Sequence, residues 1–339
     1  MAKVLVTGGA GYIGSHTIVD LMQHGFEVVC IDNFLNSTPE SLARIEKITG
    51  KPVVHYNVDL CDKAATAKVF EQEKSISGII HFAALKSVPD SVKRPLVYYK
   101  NNLISLLNLL ELSNEFGVEQ FVFSSSCSVY GNTTDLPVTE STSFGKAESP
   151  YAHTKQMGEE IILTNATVTD TKFILLRYFN PVGAHTSGFL GEENTDQITA
   201  IVPRITGTAI GKFEKFTVFG TDYPTRDGSC IRDYVHVMDI ADAHTKAIQY
   251  LQSGASTIKV ETFNLGTGNG VSVLEAIQSF ERVSGQKLNY TLGARREGDV
   301  VAIYANNQLA QQKLNWRAQY SLDDMMRTAW VWEQQLHKK

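Results

Sequence analysis

Tyr151 and Lys155 stand four residues apart directly after Ser149-Pro150, and three consecutive hydroxyls, Ser124-Ser125-Ser126, lie upstream of them. Serine caps helices and proline fits the first helical turn, so Ser149-Pro150 marks a helix start. Four residues is about one helical turn, which puts the phenol and the ammonium on one face. A neighbouring ammonium and a helix N-terminus both favour phenolate over phenol. A phenol drawn from about 10 toward neutrality is a workable general base. The spacing therefore predicts a proton-transfer pair, with a serine hydroxyl sharing the hydrogen of a substrate hydroxyl. An isolated pair of this kind also arises by chance on amphipathic helices, so its context has to decide.

That context begins at the N-terminus. Thr7-Gly8-Gly9-Ala10-Gly11-Tyr12-Ile13-Gly14 lies between an apolar run and an amphipathic one. Glycines at Gly8, Gly11 and Gly14 permit a tight turn, close approach of backbone to a pyrophosphate, and close packing of helix on strand. The first N–H groups of the helix offer a positive end to phosphate. Asp32 closes the second apolar run. A carboxylate there accepts hydrogen bonds from an adenosine ribose and repels a 2′-phosphate, so the expected cofactor is NAD rather than NADP.

Elements of regular structure must hold these groups. Apolar runs over 3–7, 27–32, 53–57, 78–82, 120–124 and 173–177 read as strands, several of them buried on both faces. Helices are expected over 12–24, over 39–48 with Thr38 as cap and Pro39 in the first turn, over 63–72 and over 96–116. Strand and helix in alternation predict an α/β protein with a doubly wound parallel sheet, its ligand site at the carboxyl ends of the strands. Beyond Arg177 the texture changes. Residues 181–196 read as loop, and a helix is expected near 199–210. A strand over 216–219, a loop over 220–229, and helices over 237–251, 273–283, 309–314 and 322–336 follow. No linker composition separates the halves, so they should pack closely around a cleft. The expected division is a cofactor unit over 1–180, rejoined by 236–268, and a smaller mixed α/β unit over 181–339.

Composition sets the bounds. The 339 residues are 43% hydrophobic and 20% charged, which excludes wholesale disorder. Thirty-one Lys and Arg against 36 Asp and Glu give −5, too mild for a polyanion binder built on bulk charge. No apolar run approaches the ~18 residues needed to cross a bilayer. Four cysteines without CxxC pairs suit a reducing compartment, so a cytoplasmic protein is expected. Nine histidines show no ligand spacing, and no metal is expected. His153, Cys127 and the tryptophans Trp316, Trp330 and Trp332 are read as packing residues.

The segments TGGAGYIG (7–14), SSSCSVYG (124–131) and SPYAHTK (149–155) resemble the extended short-chain dehydrogenase/reductases. RYFNPVGA (177–184), VFGTDY (218–223), RDYVHV (232–237) and RREGD (295–299) narrow the resemblance to the UDP-glucose (UDP-galactose) 4-epimerases, essentially end to end. The resemblance implies Tyr151 as base, Lys155 as a ligand of the nicotinamide ribose that tunes it, and Ser126 at the sugar 4-hydroxyl. It implies NAD contacts at Gly8, Gly11, Tyr12, Ile13, Gly14, Asp32, Asn33, Asp59, Leu60, Phe82, Ala83, Lys86, Asn101 and Tyr178, besides Tyr151 and Lys155. Asn180, Phe219, Arg232, Arg296 and Asp299 would hold the UDP-sugar, together with Lys86, Ser126, Tyr151 and Ile303. The implied reaction oxidises C4 with tightly held NAD, lets the 4-keto sugar turn, and returns hydride to the other face. A homodimer seam along 96–116 is implied as well, with burial against the chain's own sheet as the competing reading of its apolar positions.

Three departures bear on this. Related dehydratases and decarboxylases carry an acid after the strand-end hydroxyl, whereas Ser126 is followed by Cys127 and Ser128, which favours epimerisation. The family's N-N-L-M-P appears here as Thr-Ala-Ile-Val-Pro over 199–203, without the asparagines. Ile303 stands where a tyrosine narrows the sugar pocket or a small residue admits N-acetylhexosamines, and isoleucine is intermediate. A 4-epimerase of UDP-N-acetylhexosamine, UDP-pentose or UDP-hexuronate is the alternative. A non-catalytic NAD-sensing protein is a further class, disfavoured by the joint presence of Ser126, Tyr151 and Lys155.

Overall fold

The apolar runs of the first half become strands because helices cover both faces of all but the edge strand at residues 54–56. The computed structural model describes residues 2–193, 200–296 and 299–338. Strands β1 (Lys3–Thr7), β2 (Glu27–Ile31), β3 (Val54–Tyr56), β4 (Ile76–His81), β5 (Gln120–Ser126) and β6 (Lys172–Tyr178) run parallel. Between them lie α1 (Tyr12–Gln23), α2 (Glu40–Thr49), α3 (Lys63–Gln72), α4 (Val88–Lys93), α5 (Pro95–Glu115) and α6 (Pro150–Asn165). Side chains alternate across the sheet with the period of two that a strand imposes. Val4 and Val6 join one core layer with Ile18 and Val19 of α1, while Leu5 joins the other with Leu106 and Leu109 of α5. Each such fully buried aliphatic side chain contributes about 1.5–3 kcal/mol.

The second half adds β7 (Asn180–Val182), α7 (Ile201–Ala209), β8 (Phe216–Phe219), β9 (Ile231–Arg232), β10 (Tyr234–His236) and α8 (Val237–Gln252). It continues with β11 (Val260–Leu265), β12 (Val271–Ser272), α9 (Val273–Ser284), β13 (Tyr290–Gly293), β14 (Ala302–Ile303), α10 (Gln308–Leu314) and α11 (Leu322–His337). Strand β11 pairs with β6, so the main sheet reads β11-β6-β5-β4-β1-β2-β3. Helix α8, which leads into β11, packs on α1. Small sheets β7-β10, β12-β9-β14 and β8-β13 carry the remaining strands. Strand order reverses between β1 and β4. A parallel sheet opens a crevice at such a reversal, outside the carboxyl ends of the strands.

The structure departs from the expected elements in several places. Helix α2 starts at Glu40 with Pro39 in the cap position and no side-chain cap. Thr38, expected as the cap, instead donates its hydroxyl to Glu193 at 2.9 Å. Helix α4, unforeseen and only six residues long, is capped by Ser87 and precedes Pro95, which opens α5. The expected loop over 181–196 contains most of β7 and a bridge between Ala184 and Gly191, while 194–196 lie outside the described residues. The helix expected near 199–210 starts at Ile201, and Thr199 lies outside the described residues.

Candidate functional site

The glycine-rich turn joins β1 to α1 at the crevice. Gly8 has φ +70, and a Cβ there would stand 2.7 Å from the Ala83 nitrogen after β4; at Gly14 it would stand 2.3 Å from the Gly8 carbonyl oxygen. The turn is closed by hydrogen bonds from Gly8 N–H to the Ile31 carbonyl (2.8 Å) and from Gly11 N–H to the Gly8 carbonyl (3.1 Å). Gly11 brings no side-chain cap to α1, so the helix starts with N–H groups that have no intrahelical acceptor. The Asp32 carboxylate lies against this turn, accepting Ala10 N–H at 3.0 Å, Phe34 N–H at 2.9 Å and the Ser37 hydroxyl at 2.8 Å. This is a close-packed glycine turn that leads into the N-terminal N–H groups of α1, with one fixed carboxylate beside it, and its chemistry fits a dinucleotide.

The other expected cofactor residues fall around it. Tyr12 donates its hydroxyl to the Gly183 carbonyl at 2.6 Å, and Ile13 packs on the core. Asn33 is exposed beside Asp32, its amide oxygen accepting Leu35 N–H at 3.1 Å. Phe82 and Ala83 both donate N–H to the Thr7 carbonyl, at 3.0 and 3.1 Å. Lys86 is exposed, 3.0 Å from Glu192 and 6.0 Å from the centre of the Tyr12 ring. Asp59, Leu60 and Asn101 lie together farther along the edge: Asp59 accepts Cys61 N–H at 2.9 Å, and the Cys61 thiol reaches the Asn101 carbonyl at 3.7 Å.

At the end of β5 the second constellation assembles. The Ser149 hydroxyl accepts Ala152 N–H at 3.1 Å and so caps α6. Lys155 is buried and donates from Nζ to the Ser124 carbonyl at 2.7 Å, with Nζ 5.9 Å from the centre of the Tyr151 ring. The Tyr151 hydroxyl lies beside that of Ser126, which accepts Ser128 N–H at 3.2 Å. Tyr178 stands opposite Ser126 in the β5–β6 register. The proton affinities correct the sequence expectation. Burial pushes the Tyr151 phenol well above its ordinary value, the Ser126 hydroxyl opposing, and burial lowers Lys155 to about 8 against the pull of Glu159. The ammonium donates to a backbone carbonyl, and loss of water is the largest influence on the phenol.

Two supporting groups went unnoticed in the sequence. Glu159, a turn beyond Lys155, accepts the Ser125 hydroxyl and a forked pair from Arg177, with Nη2 to Oε2 at 2.6 Å and Nε to Oε1 at 3.0 Å. Arg177 reaches on to the Tyr130 hydroxyl at 3.0 Å, which donates to Asn264 at 2.6 Å. His244 of α8 has its ring centre 4.5 Å from that of Phe82 and 6.2 Å from that of Tyr178. Its Nδ1 donates to the Ile240 carbonyl at 2.8 Å, so Nε2 accepts the Ser124 hydroxyl at 3.1 Å. Burial lowers its pKa to about 4, which keeps it neutral. Glu159 extends the four-residue period of Tyr151 and Lys155 and could have been found that way; His244 had no local signal. His153 is exposed and bonded to the Tyr99 hydroxyl at 2.9 Å.

Opposite this site, Arg232, Arg296 and Asp299 cluster. Arg296 Nη2 lies 2.7 Å and Arg232 Nη2 3.9 Å from the Asp299 carboxylate, so two cations share one anion. Arg232 is fixed by the Ile231 and Val300 carbonyls at 2.8 and 2.6 Å. Its charge acts on the Cys127 thiol, which places it near the end of β5. Phe219 is exposed, its ring centre 5.5 Å from the Arg296 guanidinium. Asn180 opens β7 with its N–H on the Asp233 carbonyl at 2.9 Å. Ile303 is buried on β14 in register with Arg232. Glu297 and Gly298 lie outside the described residues. Among the described residues no His, Cys, Asp and Glu group could hold a metal ion.

The family model described as GDP-mannose 4,6 dehydratase matches residues 5–329. UDP-glucose 4-epimerase of Erwinia amylovora is 46% identical over 334 residues, 98% of each chain. The chain is also similar to UDP-glucose-4-epimerase from Stenotrophomonas maltophila, solved with bound NAD and formylated UDP-arabinopyranose. That match has a TM-score of 0.96 and 42% identity, covering 100% of this chain and 99% of that one. UDP-glucose 4-epimerase from Bifidobacterium longum, solved with NAD+ and UDP, gives a TM-score of 0.93 and 41% identity over 98% of each chain.

Proposed function

Because this chain belongs to the UDP-glucose 4-epimerases of the extended short-chain dehydrogenase/reductases, we propose that it interconverts UDP-glucose and UDP-galactose with NAD held in the crevice between β1 and β4. The observation that carries the reading is the meeting of Ser126 at the end of β5 with Tyr151 and Lys155 on one turn of α6, the ammonium anchored on the Ser124 carbonyl. When bound, NAD would supply the hydride acceptor and donor for C4 of the sugar, so the cycle is redox-neutral. Tyr151 takes the 4-hydroxyl proton and later returns it, with Ser126 holding that oxygen. Lys155, anchored on the Ser124 carbonyl, would hold the nicotinamide ribose. Arg232 and Arg296 embrace the diphosphate with charge-assisted bonds, and Asn180, Phe219 and Asp299 complete the hold on UDP. With Cys127 and Ser128 following Ser126, no carboxylate stands there to drive elimination, which separates this site from the dehydratases that share the family model.

The same reading assigns the remaining features. Residues 1–180 with 236–268 form the cofactor unit, and the rest of 181–339 the sugar-nucleotide unit. The protein works in the cytoplasm, in keeping with its four free thiols and the absence of a membrane-crossing helix among the described residues. A second copy covers the outer face of α5 and α6, where Leu96 is 79%, Leu107 43% and Leu163 48% exposed, while Leu106, Leu109 and Leu110 of the same helix α5 face the core. Leu107→Glu is expected to convert a dimer to a monomer in sedimentation equilibrium; an unchanged mass would remove this face from the interface.

The experiment for the reaction is direct. Purified protein incubated with UDP-galactose and no added NAD should form UDP-glucose, and acid extraction should release NAD. Absence of both product and nucleotide would overturn the assignment. Parallel incubations with UDP-N-acetylgalactosamine and UDP-arabinose define the breadth of the pocket. Ile303→Tyr should cut turnover of the N-acetylated sugar about tenfold or more relative to UDP-galactose, the discrimination that a bulk change of this size supports. An unmoved ratio would show that position 303 does not border the sugar.

A further inference from the structure

The stretch from Gly183 to Glu193 crosses the mouth of the crevice, touching the segments that follow β1, β2 and β4. Tyr12, at the start of α1, holds the Gly183 carbonyl at 2.6 Å. Lys47 of α2 stands 3.5 Å from the centre of the Phe189 ring. After β4, Lys86 reaches the Glu192 carboxylate at 3.0 Å. The Glu193 carboxylate accepts the guanidinium of Arg44 on α2 and the Thr38 hydroxyl. The back of the stretch is held by α11, where the Thr328 hydroxyl accepts Ala184 N–H at 3.1 Å and the Trp332 indole donates to the Glu192 carbonyl at 2.9 Å. Arg44 also lies 5.0 Å from the centre of the Trp332 ring, so one guanidinium grips both a carboxylate and an aromatic face. The Arg44 and Glu193 side chains are only 14% and 20% exposed, which shields their attraction from solvent more than at an open surface.

We infer that Glu193, paired with Arg44, sets how long NAD stays bound. The inference rests on the reading that the crevice holds NAD. A dinucleotide laid along the strand ends at the β1–β4 reversal has this stretch across its way out. Departure requires the stretch to lift from α2, and lifting breaks the Glu193–Arg44 pair and uncovers Trp332. Glu193 needs no contact with the nucleotide for this role; it positions the cover.

Retention is measured on the protein as purified, by diluting it and following free NAD in the filtrate by chromatography. Glu193→Gln keeps the side-chain shape and an acceptor for Thr38 but removes the charge. It should release NAD about tenfold faster or more, the factor that about 1.4 kcal/mol represents, with kcat at saturating added NAD unchanged. The exchanged pair R44E/E193R should bring release back toward the wild-type rate. Arg282→Gln, which breaks an exposed pair with Asp323 away from the crevice, should leave it unmoved. Release from Glu193→Gln at the wild-type rate overturns the inference, as does fast release that the exchanged pair fails to slow. Wild-type protein that carries no NAD would instead overturn the functional reading beneath it.

Discussion

Tyr151→Phe is expected to lower kcat for UDP-galactose by about 10²–10⁴-fold, the range supplied by a positioned acid–base group. The protein should still carry its NAD, because the glycine turn and Asp32 are untouched. The substitution removes one oxygen from a half-buried side chain, and with it the contact with Ser126. Burial makes the phenol a poor acid in the protein alone, so the surroundings must supply the charge that frees its proton. Lys155 is the resident source, and its own proton affinity is already lowered to about 8 by burial. Removing the phenol should therefore cost turnover far more than it costs KM. The check pairs steady-state kinetics with nucleotide content on one preparation. Near-normal kcat with full NAD would take proton transfer away from Tyr151, whereas loss of both would point to damage at the cofactor site.

How much of this site is readable from the chain depends on how far apart its determinants lie. The glycine turn, Asp32 and the Ser149-Pro150 helix start are local devices, and each sits where its own neighbours dictate. Strands β1, β2, β4, β5 and β6 are legible because largely apolar runs between helices have few other uses, and the short edge strand β3 by its place in the alternation. Strand β11 is not, because Glu261 and Asn264 interrupt its pattern. Both are buried; Glu261 is held by nearby Ser256 and Tyr250 and by distant Lys313, and Asn264 by distant Tyr130, far partners that no window along the chain contains. The two- and three-residue strands of the second half are too short to show a period. The sign of the Tyr151 shift is hidden for a related reason. Spacing reveals the charge of Lys155 but not the water that folding removes from the phenol.

Glu159→Ala should destabilise the protein by about 3–5 kcal/mol, the cost of stripping one partner from a buried ion pair. Arg177 and Glu159 are 7% and 1% exposed, and the carboxylate gathers the guanidinium and the Ser125 hydroxyl behind the catalytic strand. Without it the guanidinium keeps hydrogen bonds only to the Tyr130 hydroxyl and the Glu140 carbonyl, beside the Tyr130 and Phe144 rings and the more distant Glu140 carboxylate. Against a total stability of about 5–15 kcal/mol, that loss is a large fraction. Glu159→Gln should lose less, since its amide still accepts from Arg177. The double replacement Glu159→Leu with Arg177→Met should recover most of the deficit, because it leaves no charge behind. Urea midpoints at fixed NAD compare the four proteins. A deficit below about 1 kcal/mol for Glu159→Ala would mean that water reaches Arg177, since only solvation could replace the lost carboxylate so cheaply. If the double variant is stable yet slow, the pair's further task is orientation: Ser125 sits between Ser124, which anchors Lys155, and Ser126, which lies beside the phenol, so a slackened strand end would reach both.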